Sequence, residues 1–201
     1  MIFENRGMSI GVSNPHPHGQ IYSTDFLPRI PGTRYAHSLM YMKEHKSCLF
    51  CKILDDELAD PCRIITRNDH FVAFVPYFAR LSYEAYIMPV RHVPFITELT
   101  GEELRSLAEI HHEMLVRYDN LFQMPFPNIT VFQNAPCSDQ IDPQPYHFHI
   151  EFLPPLRNRD KLKYMAGFES GGGNIVNPLL PEDSAETLRS LSTIHYSKRN
   201  I

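Results

Sequence analysis

The chain has 201 residues, enough for one large domain or two small ones, and its 43% hydrophobic content is sufficient for a core. A net charge of −4 argues against a broad basic surface, and so against nucleic acid as a partner. No apolar run approaches the roughly 18 residues of a membrane span, "MIFENRGMSIG" puts Glu4 and Arg6 where a signal peptide has its apolar centre, and four cysteines point to metal or free thiols in a reducing, cytoplasmic setting.

Residues 1–28 read as a short strand, a glycine-containing turn and a second extended segment, with no sizeable core of their own. Residues 29–47 read as a connector that turns helical near its end. "CRIITRNDHFVAFVPY" (62–77) has the pattern of a hairpin, and "YEAYIMPV" (83–90) alternates like a strand. Thr100 and Glu103 form a capping box, followed at helical spacing by Leu104, Leu107, Ala108, His111, Met114, Leu115, Tyr118 and Leu121, so 100–122 is an amphipathic helix. "NITVFQNAP" (128–136) and "YHFHIEFLPP" (146–155) are the next strands. Residues 160–170 are a short helix or strand edge running into Gly171–Gly173, and 181–197 is a C-terminal helix with Pro181 near its start.

Two stretches carry chemistry. In "SNPHPHGQ" (13–20), His16, His18 and Gln20 alternate, and residues two apart in an extended chain face the same side. His147, His149 and Glu151 repeat the spacing. Neutral imidazole is nucleophilic near pH 7, which suits attack on phosphorus. Gln20 can donate a hydrogen bond to a phosphoryl oxygen without titrating, and Asn5 and Ser13 are further donors. The plainer alternative is a pair of ordinary loop histidines between prolines. Separately, Cys48 and Cys51 form C-x-x-C, and with His92 and His147 they make a Cys2His2 set for zinc. The alternatives are two free thiols, or a thioredoxin-like redox pair, which needs a preceding strand and a helix opening between the cysteines; "EHKS" and "LFCKI" fit that pattern poorly.

"FENRG…GVSNPHPHGQIYS", followed in order by "RYDNLF", "FLPPLR" and "KYMAGFE", closely resembles the galactose-1-phosphate uridylyltransferases, a branch of the histidine-triad superfamily. The resemblance covers nearly the whole chain. It implies an α+β fold with a histidine-triad-like antiparallel sheet and helices: residues 1–44 as a remnant of a first domain with the catalytic strand and connector, and 45–201 as a nearly complete second domain. It implies His18 as nucleophile, Gln20 as its phosphate-stabilising partner, His16 as a zinc ligand of the first half, and Asn5 and Ser13 as phosphate contacts. Lys163, Phe168 and Glu169 correspond to a segment that reaches the sugar phosphate from the other subunit of a homodimer.

The resemblance further implies structural zinc at Cys48, Cys51, His92 and His147, and no transfer at His149, because Glu151 replaces the third triad residue. Relatives carry another second-half metal site, two of whose ligand positions are taken here by Arg34 and Gln133, so that site is expected to be absent. The expected reaction moves UMP from UDP-glucose to galactose 1-phosphate through a uridylyl-histidine. The family's N-terminal C-x-x-C, a further zinc histidine and the pocket for uracil and ribose have no counterpart, which leaves His16 without co-ligands and suggests a truncated chain. An ADP-sugar nucleotidyltransferase and an inactive zinc-stabilised fragment are the competing expectations.

Overall fold

A computed structural model describes residues 1–14 and 16–198. Its strands are β1 (Ile2–Arg6), β2 (Gly19–Ile21), β3 (Ile64–Arg67), β4 (Phe71–Phe74), β5 (Ala85–Pro89), β6 (Asn128–Gln133), β7 (His149–Leu153), β8 (Leu156–Asn158) and β9 (Lys161–Leu162). Its helices are α1 (Arg29–His45), α2 (Leu49–Ala59), α3 (Gly101–Phe122), α4 (Gly167–Gly172) and α5 (Pro181–Ser190). Seven strands form one sheet in the order β2-β1-β6-β7-β5-β4-β3, and each neighbouring pair is antiparallel. β8 and β9 make a separate hairpin. The α+β class and antiparallel sheet are as expected from the sequence.

Both faces of the sheet are covered, which explains why "FVAF" in β4 is apolar throughout rather than alternating. Phe71 and Ala73 pack with Ile87, Ile150 and Phe152 against Leu107, Ile110, Met114 and Tyr118 of α3 and Leu188 of α5. Val72 and Phe74 face the other way and join Tyr86, Met88 and Tyr146 against Phe50 and Leu54 of α2. Cross-strand partners share a face, so the register puts Gln20, Phe3, Val131, Glu151 and Tyr86 in one row on the side of α1 and α2. Burial declines towards β2, where Ile21 is 77% exposed.

α3 starts at its anticipated cap: Thr100 accepts from the Glu103 amide at 3.2 Å and Glu103 from the Thr100 amide at 2.7 Å. Four readings need correction. The connector is helical over its whole length, Arg29–His45. A helix over Leu49–Ala59 was not anticipated; Phe50 and Leu54, one turn apart, face inward and hold it to the sheet. Residues 156–162 are a hairpin before α4, and α5 stops at Ser190 rather than 197. There Arg117 of α3 donates to the carbonyls of Leu188, Arg189 and Leu191, ending the helix and fastening the chain just beyond it. No described helix is long and apolar enough to cross a membrane.

Candidate functional site

His18 directly precedes β2 and is exposed. Its Nδ1 lies 2.7 Å from the His16 carbonyl oxygen. A carbonyl only accepts, so Nδ1 carries the proton and the lone pair is left on Nε2. Continuing the β1–β2 register by one residue sets Asn5 opposite His18, and Gln20 lies opposite Phe3 on the adjoining strand. His16 and Ser13 are exposed on the approach to β2, and the His16 amide donates to Asn14 Oδ1 at 3.0 Å. The second histidine pair repeats the lock: His149 Nδ1 lies 2.9 Å from the His147 carbonyl. His149 is fully buried, however, with its ring against Phe50, Tyr86 and Tyr146, so no substrate reaches it.

Around His149 lies a buried polar network that sequence reasoning named only in part. Arg34 reaches from α1 to Glu151 at 2.5 Å and to the Tyr86 hydroxyl at 3.2 Å. Gln133 donates to the other Glu151 oxygen at 2.9 Å, and His149 Nε2 lies 3.7 Å from the first. Burial pushes the Glu151 carboxyl up, but His149 and Arg34 together hold it below the usual carboxylate range. The guanidinium thus supplies a fixed cation among these side chains. Tyr86 and Tyr146 were missed, because only the folded sheet brings them to Arg34.

The four zinc candidates converge. Cys48 caps α2 and Cys51 lies in its first turn, His92 follows β5 and His147 precedes β7. Their ligand atoms all lie within 4.8 Å of one another. Cys51 Sγ is 3.2 Å from His92 Nδ1 and 3.5 Å from His147 Nδ1. Ligands on a tetrahedral zinc, with bonds of about 2.0–2.3 Å, stand roughly 3.5 Å apart. The four groups hold their protons unevenly, and a metal would have to displace the one that Cys51 keeps. Burial, reinforced by His92 and His149, lowers His147 to about 3, so its imidazole is neutral. A hydrogen bond from Cys51 lowers the Cys48 thiol to about 5 against the opposing effect of burial, and the same bond raises Cys51. A helix does open between the cysteines, which corrects one objection to a redox pair; the element before it is helix α1, not a strand. All four cysteines of the chain are free.

Lys163 and Glu169 form an ion pair beside α4, where Phe168 is 62% exposed. Among the described contacts, none joins them to His18.

The fold is shared with a zinc-bound histidine-triad family protein from Mycobacterium smegmatis, which superposes with a TM-score of 0.50 at 19% identity, covering 72% of this chain and 92% of that one. Residues 35–200 match the family model described as "Galactose-1-phosphate uridyl transferase, C-terminal domain" and residues 1–28 match the corresponding N-terminal domain. The chain belongs to this family. The galactose-1-phosphate uridylyltransferase of Thermotoga maritima is 40% identical over 94% of this chain and 58% of its own. A solved uridylyltransferase structure superposes with a TM-score of 0.87 at 34% identity, over 94% of this chain and 59% of that one. An ADP-glucose phosphorylase from Arabidopsis thaliana with bound ADP-glucose does so with a TM-score of 0.79 at 25% identity, over 95% and 58%. The chain spans a little over half the length of these longer relatives.

Proposed function

We propose that this chain carries the nucleotidyl-transfer strand of a UDP-glucose–hexose-1-phosphate uridylyltransferase, with His18 as nucleophile. The observation that carries the reading is the locked tautomer, Nδ1 bound to the His16 carbonyl at 2.7 Å on an exposed ring. Nε2 attacks the α-phosphorus of UDP-glucose; the N–P bond forms, the P–O bond to glucose 1-phosphate breaks, and that group departs with the bond's electron pair. The His16 carbonyl keeps the Nδ1 proton in place while the ring carries positive charge. A phosphate oxygen of galactose 1-phosphate then attacks the same phosphorus, Nε2 leaves, and UDP-galactose forms. Gln20 donates to a non-bridging oxygen and, being unable to titrate, offers no proton for a hydrolytic side reaction. Asn5 and Ser13 complete the phosphate contacts.

Cys48, Cys51, His92 and His147 hold zinc as a structural cross-link, supported by the convergence of their ligand atoms. Residues 1–44 are the end of a first histidine-triad-like domain and 45–201 a second. The working assembly is a cytoplasmic homodimer in which Lys163, Phe168 and Glu169 serve the partner's sugar-phosphate site. The likeness to the ADP-glucose phosphorylase supports a second reading, with an adenylyl group in place of uridylyl.

Intact-protein mass after brief incubation with UDP-glucose, with ADP-glucose in parallel, tests both. A uridylyl adduct that disappears in His18→Ala is expected. An adenylyl adduct alone shifts the substrate to the second reading; no adduct on folded, zinc-loaded protein refutes transfer by this chain.

A further inference from the structure

The helix after the catalytic strand has few apolar anchors. Among α1 residues only Ser38 is fully buried, with Tyr35 and Met42 packed at the margin of the second core cluster. Its strongest tie is electrostatic: the Arg34 side chain, 18% exposed, meets Glu151, 2% exposed, at 2.5 Å. Glu151 is itself immobilised by Gln133 of β6, and Arg34 also reaches Tyr86 of β5. Arg34 Nη2 meets both the carboxylate and the phenol, which holds the guanidinium between β5 and β7, while its Nη1 has no hydrogen-bond partner. Undocking α1 leaves Glu151 buried without its counter-charge, which strongly favours the docked state.

α1 is also coupled to the candidate nucleophile. Seven residues separate β2 from α1. Within them, Leu27 packs on Gly32 so closely that a Cβ there would stand 3.4 Å from its Cγ, and Tyr22 exchanges backbone hydrogen bonds with Met1 ahead of β1. The link from His18 to the α1 anchor is therefore short, and although its residues 22–27 are exposed it is tied at both ends, by the Met1–Tyr22 pair and the Leu27–Gly32 contact.

We propose that Arg34 is a positioning residue: its ion pair with Glu151 docks α1 on the sheet and thereby sets the path of β2 and the aim of His18. The part concerning His18 rests on the transfer reading above, whereas the docking part does not. The test compares wild type, Arg34→Met, Arg34→Lys and the double variant Arg34→Met/Glu151→Gln. Hydrogen exchange over 19–45, the denaturant unfolding midpoint and the rate of adduct formation against UDP-glucose concentration are measured on each. In Arg34→Met, exchange over 29–45 rises by about tenfold or more and spreads to 19–28. The limiting adduct rate falls by about 100-fold while the half-saturating concentration changes little. Arg34→Lys recovers part of both. The double variant removes both charges and regains the unfolding midpoint, but not the adduct rate. Unchanged exchange in Arg34→Met overturns the proposal, as does recovery of the adduct rate together with the midpoint in the double variant. If wild type forms no adduct, the transfer reading fails and the exchange measurement alone decides the docking.

Discussion

His111 illustrates how one residue can set a pH response. It occupies an inward position of α3, its ring 5.4 Å from Phe152 and 6.2 Å from Phe132, and its Nε2 has no protein partner. Burial, aided by the neighbouring His112, lowers its pKa to about 4. The unfolded chain, with a histidine near 6.5, binds more protons between those values, so stability falls as pH drops through that window. At pH 4.5 the loss from this residue is about 2 kcal/mol. Denaturant unfolding of wild type and His111→Leu at pH 7 and 4.5 measures it; the variant should lose about 2 kcal/mol less between the two. Equal losses would show that the ring is hydrated in the fold. The sequence marks His111 as part of the helix's apolar stripe, but its missing partner is visible only once the sheet is in place.

At the scale of elements, legibility tracked the strength of the local pattern. α3 was readable from cap to last turn because the capping box and the apolar repeat agree. α1 was not, because Pro31 and Gly32 stand in its first turn and its most buried residue is Ser38, with Tyr35 and Met42 only at the core's margin, which leaves a weak hydrophobic signal. α2 is shorter but does carry Phe50 and Leu54 one turn apart, a signal to which the sequence analysis assigned no element. The candidate set Cys48, Cys51, His92 and His147 could be named from the C-x-x-C and two histidines, and the fold brings their ligand atoms together, whereas the polar network under α1 needed the sheet to bring β5, β6 and β7 together. Element joints also depend on backbone details that no pattern reveals. Gly7, which ends β1, has φ +102°, and a Cβ there would stand 2.7 Å from Pro127 Cβ, just before β6. Gly7→Ala should therefore cost about 1–3 kcal/mol in unfolding free energy and loosen the β1–β6 pairing next to Asn5. Faster amide exchange at residues 2–6 than in wild type is the signature; unchanged exchange and stability would mean the turn can relax.

For the whole molecule, the proposed zinc site is a cross-link between segments far apart in the chain. It joins the start of α2, the end of β5 and the approach to β7, so Cys48 and His147 are closed into a loop of about 100 residues, which the free chain closes at an entropic cost. The core cluster on the α3 face contains none of the four ligand residues, and the other contains only Cys48 among mostly apolar side chains, so loss of a bound metal should weaken this protein rather than unfold it, unlike a zinc finger. The effect should concentrate where the cross-link acts. Buried Cys48 Sγ lies 3.6 Å from the Pro145 carbonyl oxygen, and Tyr35 of α1 donates to the Asp142 carbonyl at 2.9 Å, so the 136–146 loop, α2 and α1 share one corner. A loss of about 2–4 kcal/mol corresponds to a Tm drop of roughly 5–15 °C for a chain of this size. Metal analysis of the purified protein should give about one zinc per chain. Chelation, or Cys48→Ser, should lower Tm by that amount and speed exchange in α2 and the 136–146 loop, while β4 and α3 keep their protection. Protein that is metal-free as purified and indifferent to chelator would leave the four side chains as a thiol–imidazole cluster without a cross-linking role. A drop accompanied by uniform loss of protection would mean that the two cores depend on the metal after all.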